Sequence, residues 1–525
     1  MSVRRVAVVG GGPGGLYAAR LLRLADPSAE VVVHEQNQPE TTFGFGVALG
    51  ARTQRNLELA DQDTLRDILA ASRQHDMSMQ VGDRVARVPG GRLVAIARTE
   101  LLNVLSRHAE KAGVVLQHGV RVDADDLDAD LVILADGVSS AARTALADEL
   151  GAHVDVSRGF YLWAGAEFAL PEAMFAPVTT DHGTFVAHAY PYAPDRSTFL
   201  VEVDENTWRR AGFDQTTDAT PPDASDEAAL AYLSEAFADR LRGHRLVGNR
   251  TRWLRFRTVT CRRWWHGNRV MLGDAAHTAH YSIGSGTKLA MEDAIALCSA
   301  LNTEPDRDHA LARYQTQRKP QVSRMQALAQ RSQGWWDTFP SRMHLPIDQL
   351  TVAYMTRAGN VSLERFAAST PGVVRPALAQ LAGTPPTQVD LRAPIEWVLR
   401  QPLAHDRAAF ANRVVDRAQF SLTGQAETNG RLPLTLVDRV PDDPWGAAAD
   451  SLVEGIRHQL GTGTRGAWIT GPADRDSMIT RLDLAERVRL AGALVVTEGP
   501  RALQADLAAG LAAGRTDLIA FGSAE

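Results

Sequence analysis

The chain has 525 residues, enough for roughly two to four domains at the usual domain size. A hydrophobic fraction of 45% and a charged fraction of 22% are globular values, which excludes a disordered, collagen-like or coiled-coil chain. With 56 Lys and Arg against 62 Asp and Glu the formal charge is −6 at pH 7, so the overall balance points to neither nucleic acid nor an anionic membrane. Only Cys261 and Cys298 carry thiols, which argues against a disulfide scaffold or a thiolate-rich metal site and makes the reducing cytoplasm the expected location. Strand-like residues begin at Val3, leaving no room for a signal peptide, and no run of 18 apolar residues occurs.

Residues 3–9 predict a buried parallel strand, a glycine turn follows, residues 16–23 predict a helix, and Val31-Val32-Val33-His34-Glu35 the next strand. That order is the unit of a doubly wound sheet. Strand signals return at 114–116 and 131–135. Over 160–205 and 245–263 apolar and polar residues alternate in short runs, which predicts an antiparallel sheet. Residues 286–332, much of 348–367, and 375–382 read as helix. The polar stretch 218–226 reads as a loop and Thr384-Pro385-Pro386-Thr387 as a linker. Residues 388–463 show weak periodicity and many turn signals. Strands at 467–470, 494–496 and 518–520, alternating with helices at 477–490 and 502–513, predict a small α/β unit at the end.

The first turn, Gly10-Gly11-Gly12-Pro13-Gly14-Gly15, contains G-x-G-x-x-G as Gly10, Gly12 and Gly15. The first glycine permits the sharp turn, the second lets backbone approach a pyrophosphate, and the third lets helix and strand pack closely. The helix start offers free N–H groups and a positive dipole end. Glu35 follows Gly15 by 20 residues, where a carboxylate accepts from ribose hydroxyls and disfavours a 2′-phosphate. The turn therefore predicts FAD or NAD rather than NADP.

Two later motifs choose between them. Asp136-Gly137 ends the strand at 131–135, and Gly273-Asp274-Ala275-Ala276-His277 is followed by Gly284-Ser285-Gly286-Thr287. With these three motifs in this order, residues 1–380 resemble the p-hydroxybenzoate hydroxylase-like, FAD-dependent aromatic monooxygenases. That resemblance implies a Rossmann-like FAD-binding domain of the glutathione-reductase type and a substrate domain built on an antiparallel sheet. It implies FAD contacts from Gly10, Gly12, Pro13, Gly14, Gly15, Glu35, Gly273, Asp274, Gly284, Gly286 and Thr287. Asp136 corresponds to a residue credited with both FAD and NAD(P)H, and Arg98 to the arginine reaching the flavin chain. Taken alone, an arginine that begins a helix is more often a cap or surface charge. His277 reads as packing rather than as a base.

Many members of that group carry a proline soon after the Gly-Asp motif, where this chain has His280-Tyr281-Ser282-Ile283. That wording, with Gly44-Phe45-Gly46-Val47, residues 184–192 and residues 205–210, resembles the aryl-coenzyme A branch. Salicylyl-CoA 5-hydroxylase and 2-aminobenzoyl-CoA monooxygenase belong to that branch. The implied reaction is aromatic hydroxylation with NADH or NADPH and O2 through a C4a-hydroperoxyflavin, with no metal. Expected catalytic residues are His188, Tyr190, His280 and Tyr281. Expected substrate residues are Phe45, Trp163 and Tyr192, with Arg255 and Arg257 as cations for coenzyme A phosphates. Strand alternation puts Arg255, Arg257 and Trp253 on one face.

In the tail, residues 411–415 and 511–518 resemble the opening and closing of an old yellow enzyme barrel, but about 140 residues are too few for one. The expected layout is an FAD domain at 1–160 and 262–335, a substrate sheet at 161–261, a helical connection at 336–384, and a non-catalytic C-terminal α/β domain at 385–525. The expected partner is a small aromatic molecule, CoA-linked in the narrower reading, with no nucleic acid or membrane and a homodimer left open. Two other readings stay open: a hydroxylase of a free aromatic acid, phenol or indole, and a flavoprotein that escorts an intermediate without oxygenating it. Trp335-Trp336-Asp337 lacks the halogenase Trp-x-Trp-x-Ile-Pro pattern.

Overall fold

The β-branched run at the N-terminus behaves as its composition dictates. In the computed structural model, which describes residues 3–39, 44–405, 408–422 and 431–522, it becomes strand Arg5–Val9. Val6 and Val8 are buried on one face of that strand and Ala7 on the other, because a parallel sheet is covered on both sides. The chain divides into two compact units, residues 1–78 with 90–333, and residues 79–89 with 334–525.

The first unit holds a six-stranded sheet in the order Trp265–His266, Arg269–Met271, Leu131–Leu134, Arg5–Val9, Glu30–Glu35, Val115–His118. All neighbours are parallel except the first pair. Helix Pro13–Ala25 connects strands Arg5–Val9 and Glu30–Glu35, with Pro13 at its first position, where a missing N–H costs nothing. Helix Gly286–Thr303 packs along it. The stretch read as one helix over 286–332 is two, broken at residues 304–306.

An antiparallel sheet follows in the same unit. Strand Arg196–Val203 lies between Ala152–Ala166 and Gly183–Ala193, with Ala173–Thr180 beyond the latter. Strands Leu246–Val247 and Trp253–Cys261 pair with Ala152–Ala166. Opposed residues share a face, so the register sorts the side chains. One face carries Leu162, Ala164, Phe185, Ala187, Phe199 and Val201 and packs into a core with Leu230, Leu233 and Phe237. The other carries Tyr161, Trp163, His188, Tyr190, Leu200 and Glu202. A three-stranded sheet, Gly46–Leu49 with Val94–Ala97 and Arg73–Gln74, meets this second face. There the Gly46 N–H donates to Thr198 Oγ1 at 2.9 Å, and the Tyr190 hydroxyl donates to the Gly46 carbonyl at 2.7 Å.

The second unit contains five parallel strands in the order Phe420–Ser421, Leu432–Val437, Gly466–Ile469, Leu494–Gly499, Leu518–Phe521. Helices Ala447–Leu460, Arg475–Leu490 and Gln504–Ala512 connect them. A closed eight-stranded barrel is not formed among the described residues; Val414 adds only a single parallel bridge to Ile519. Helices Ile347–Thr356, Leu363–Ser369 and Pro371–Ala382, expected as a connection, fall in this unit. Strand Leu432–Val437 and helix Ala447–Leu460 occupy the stretch read as turn-rich, where Pro433 and an Ala-rich helix start hide both periods. Trp335 and Trp336 pack with Phe339 and Tyr354 in its core, as Trp in a helix ordinarily does. Among the described residues no helix is long and apolar enough to cross a membrane, and no group of three or more His, Cys, Asp or Glu could hold a metal ion.

Candidate active site

The glycine turn is shaped for a ligand on one side only. Gly10 has φ +108°, and a Cβ on it would strike the Ala135 carbonyl. A Cβ on Gly15 would strike the Gly10 carbonyl oxygen, whereas a Cβ on Gly12 would meet nothing within 4 Å. Gly14 lies against Leu272 and Ala290, and Pro13 opens the helix. Glu35 Oε2 accepts from the Gly11 N–H at 2.8 Å, and Oε1 accepts from the Asn37 N–H at 2.8 Å and side-chain amide at 2.7 Å. Both oxygens keep a lone pair for a ribose hydroxyl. Gly11, Gly12, Glu35, Asn37 and Arg98 line a cleft of about 560 Å³.

Arg98 opens helix Arg98–Lys111, and its N–H donates to the Phe45 carbonyl at 2.7 Å. Burial pulls its guanidinium below the usual value, and the charge of Asp274 works against that. Asp274 is open to solvent on one side and ringed by protein on the others. That enclosure pushes its carboxyl up, while His277 and Arg98 pull it back. Gly273, at φ +59°, would drive a Cβ to within 2.8 Å of the Ala290 methyl. His277 is 2% exposed, its Nε2 lies 2.7 Å from Asp293 Oδ2, and the Trp264 ring lies tilted against it at 4.8 Å, so it fixes this turn from within. Gly284, at φ +59°, ends the 280s turn, and Gly286 and Thr287 begin helix Gly286–Thr303 with no side-chain cap. Those unclaimed N–H groups are anion-directed donors.

Asp136 Oδ2 accepts from the Ala141 N–H at 3.0 Å. Its Oδ1 is buried and has no hydrogen-bond partner among the described residues. Arg143, which carries no expected role, donates to the Val138 carbonyl at 2.6 Å and the Ala275 carbonyl at 3.0 Å. It thereby ties the Asp-Gly loop to the Gly-Asp turn; an arginine inside a motif otherwise made of small residues was its only signal.

The 280s turn also meets the aromatic face of the antiparallel sheet. Tyr281 lies 4.9 Å from Tyr161, 4.1 Å from His280 and 6.4 Å from His188, between ring centroids. His188 Nε2 is 3.5 Å from Glu202 Oε2. Phe256 borders His280 at 4.9 Å, and His280 Nδ1 sits 3.0 Å from Ser282 Oγ. Burial raises the Tyr161 phenol, with Arg257 and Asp274 pulling in opposite senses, and its ring contact with Tyr281 sets it against the turn that follows the Gly-Asp motif. Three of the four expected catalytic side chains, His188, His280 and Tyr281, therefore come together. Tyr190 stands apart: its hydroxyl holds Gly46, and burial pushes it up to about 12. Tyr161, Glu202 and Phe256 join the group unforeseen.

Among the substrate candidates, Phe45 packs onto Gly165, Trp163 borders Gly44, and Tyr192 covers Gly46, where a Cβ would meet its ring at 2.7 Å. Arg255 does not join them, because alternation turns it away from Tyr161 and Phe256. It pairs with Glu205 at 2.6 Å and lies over the Phe160 ring at 4.2 Å. Trp253 shares its side but is buried against Phe213, so only Arg257 of the three remains exposed, donating to Ser139 Oγ at 2.9 Å.

The profile of a family described as FAD binding domain matches residues 97–329. A salicyloyl-CoA 5-hydroxylase of Streptomyces sp is 42% identical over 341 residues, 64% of this chain and 66% of that protein. A 3-hydroxy-4-methyl-anthranilyl-[aryl-carrier protein] 5-monooxygenase of Streptosporangium sibiricum is 38% identical over 371 residues, covering 70% of this chain and 99% of that one. The chain belongs to the FAD-dependent aromatic monooxygenases. A protodeoxyviolaceinate monooxygenase of Chromobacterium violaceum is 30% identical to this monooxygenase, over 67% of it and 94% of that protein. The solved structure of a 2-methyl-3-hydroxypyridine-5-carboxylic acid oxygenase shares the fold at a TM-score of 0.53 and 20% identity, covering 68% of the monooxygenase and 96% of that chain.

The residues present fit FAD. The side of Gly12 that a Cβ would fill is empty, Asp136 leaves a buried acceptor unclaimed, and Glu35 and Arg98 line one cleft with the turn. Gly10, Gly12 and Gly15 would hold the pyrophosphate, Glu35 the adenosine ribose, Asp274 the ribityl chain, and Gly286 and Thr287 the flavin pyrimidine edge.

Proposed function

We propose that this monooxygenase hydroxylates the ring of an aryl thioester, a CoA ester such as salicyloyl-CoA, at the 5-position. The observation that carries this reading is that two of its relatives, at 42% and 38% identity, are named for aryl groups on thioester carriers, CoA in one and a carrier protein in the other. The reaction balances as NAD(P)H, H⁺, O2 and the arene giving NAD(P)⁺, water and the phenol. Bound FAD supplies the redox step, taking electrons from NAD(P)H and delivering one oxygen atom to the ring.

The chain's own side chains do the rest. Tyr161, Trp163 and Tyr281 supply a ring-shaped wall beside the Gly-Asp turn, which stacks a flat substrate and excludes water. His188 and His280 offer polar contacts for a ring hydroxyl or the thioester carbonyl. Arg257 is the exposed arginine of strand Trp253–Cys261 that would serve phosphates, since Glu205 already neutralises Arg255. That loss of one expected phosphate ligand favours, as the second reading, hydroxylation of a free aromatic acid. Residues 1–160 and 262–335 would act as the FAD domain and 161–261 as the substrate domain. The C-terminal unit, in this reading a shortened relative of the old yellow enzyme barrel, is non-catalytic.

The test is the rate of NAD(P)H oxidation with salicyloyl-CoA, anthraniloyl-CoA and the corresponding free acids. Stimulation by the thioesters with a hydroxylated product is expected. Stimulation by the free acids alone would select the second reading.

A further inference from the structure

Glu202 is only 9% exposed, on a sheet face where its neighbours are mostly rings and aliphatic side chains. Tyr161 and Val186 oppose it in register on either side. Packing alone would be served there by another apolar residue, since a buried carboxylate carries a desolvation penalty that only partners offset. Its partners come from two elements. His188 approaches Oε2 from the neighbouring strand at 3.5 Å, and Tyr281 and His280 approach from the turn that follows the Gly-Asp motif. Arg257 and Asp274 act on the adjoining Tyr161. Burial pushes the Glu202 carboxyl up, but His188, then His280 and Tyr281, outweigh it and leave the group below its usual range. Oε1 is buried and makes no hydrogen bond among the described residues. The carboxylate thus joins the sheet to the flavin-side turn through the side chains that make the aromatic wall.

We propose that Glu202 is a positioning residue. It orients His188 and Tyr281 so that together they present a hydrogen-bond site to a hydroxyl or amino group ortho to the carbonyl on the substrate ring. The inference rests on the aryl thioester reading and names which rings that site prefers: those with an ortho donor.

The test compares wild type and Glu202→Gln holoenzymes for FAD content, for KM and kcat with salicyloyl-CoA, and for binding of benzoyl-CoA, which lacks the ortho donor. Expected for the variant are unchanged FAD content and benzoyl-CoA affinity, with a KM for salicyloyl-CoA raised about tenfold, the worth of one hydrogen bond, and less product per NAD(P)H consumed. Unchanged KM and coupling with salicyloyl-CoA, or equal losses for both esters, would overturn the proposal. Should Glu202→Gln fail to fold, Tyr281→Phe removes the hydroxyl on the turn and is expected to show the same selective loss; no selective loss would overturn the proposal. A wild type that hydroxylates no thioester would instead refute the substrate reading, so the two failures are separable.

Discussion

Asp293 is completely buried and uses both oxygens: Oδ2 accepts from the Gly273 N–H at 3.0 Å and meets His277 at 2.7 Å, and Oδ1 meets Arg318 at 2.8 Å. Removing the charge leaves Arg318 in a dry interior without its nearest counter-ion, so Asp293→Asn is expected to cost about 3–5 kcal/mol in chemical denaturation. Burial alone would raise this carboxyl, but His277 and then Arg318 hold it below the usual aspartate range. A depressed folded pKa gives stability that is complete above the unfolded value and is lost as pH falls through the folded one. The wild type should therefore lose stability on acidification more steeply than Asp293→Asn; parallel acid profiles would refute the role of the pair. At this scale the sequence was readable where chemistry is local. Glu35 and Asp274 stood at motif positions, but Glu202 did not. In Phe199-Leu200-Val201-Glu202-Val203 a single acid reads as a solvent-facing position. The signal was that both faces of the strand are apolar, the pattern of a strand buried on each side.

The glycine turn separates two kinds of requirement at the scale of an element. In Gly15→Ala the new methyl strikes the Gly10 carbonyl, backbone against backbone, so strand Arg5–Val9 and helix Pro13–Ala25 must part, at a cost of about 1–3 kcal/mol. In Gly12→Ala the methyl meets no protein atom, so stability should hold while FAD affinity falls. Thermal melts of both apoproteins and FAD titration of each check this; an unstable Gly12→Ala, or one that binds FAD normally, would contradict the assignment. The strand–turn–helix order was legible because glycine spacing and apolar runs are local. The face assignment of strand Trp253–Cys261 was legible too. What alternation could not say is that Glu205 and Phe160 wait on the same side as Arg255, since those contacts come from other elements.

For the molecule as a whole, the parts were legible in proportion to their motif density. The first unit carries three spaced motifs and a clean alternating sheet, so its architecture was legible in the sequence. The second unit carries none, and its helices Ile347–Thr356 and Leu363–Ser369 gave periodicity without saying which core they join. It also sequesters ion pairs: Arg342 pairs with Glu486 at 2.5 Å, and Arg515 pairs with Asp483, all at most 5% exposed at the side chain. Such pairings between residues far apart in sequence leave no local pattern. The central claim is that this chain, loaded with FAD, places one atom of dioxygen on an aromatic ring. Turnover of salicyloyl-CoA with NAD(P)H under 18O2, followed by mass spectrometry of the product, tests it directly. One 18O in a ring hydroxyl is the predicted result. NAD(P)H oxidation that yields only hydrogen peroxide, or a hydroxylated product carrying oxygen from water, would contradict it.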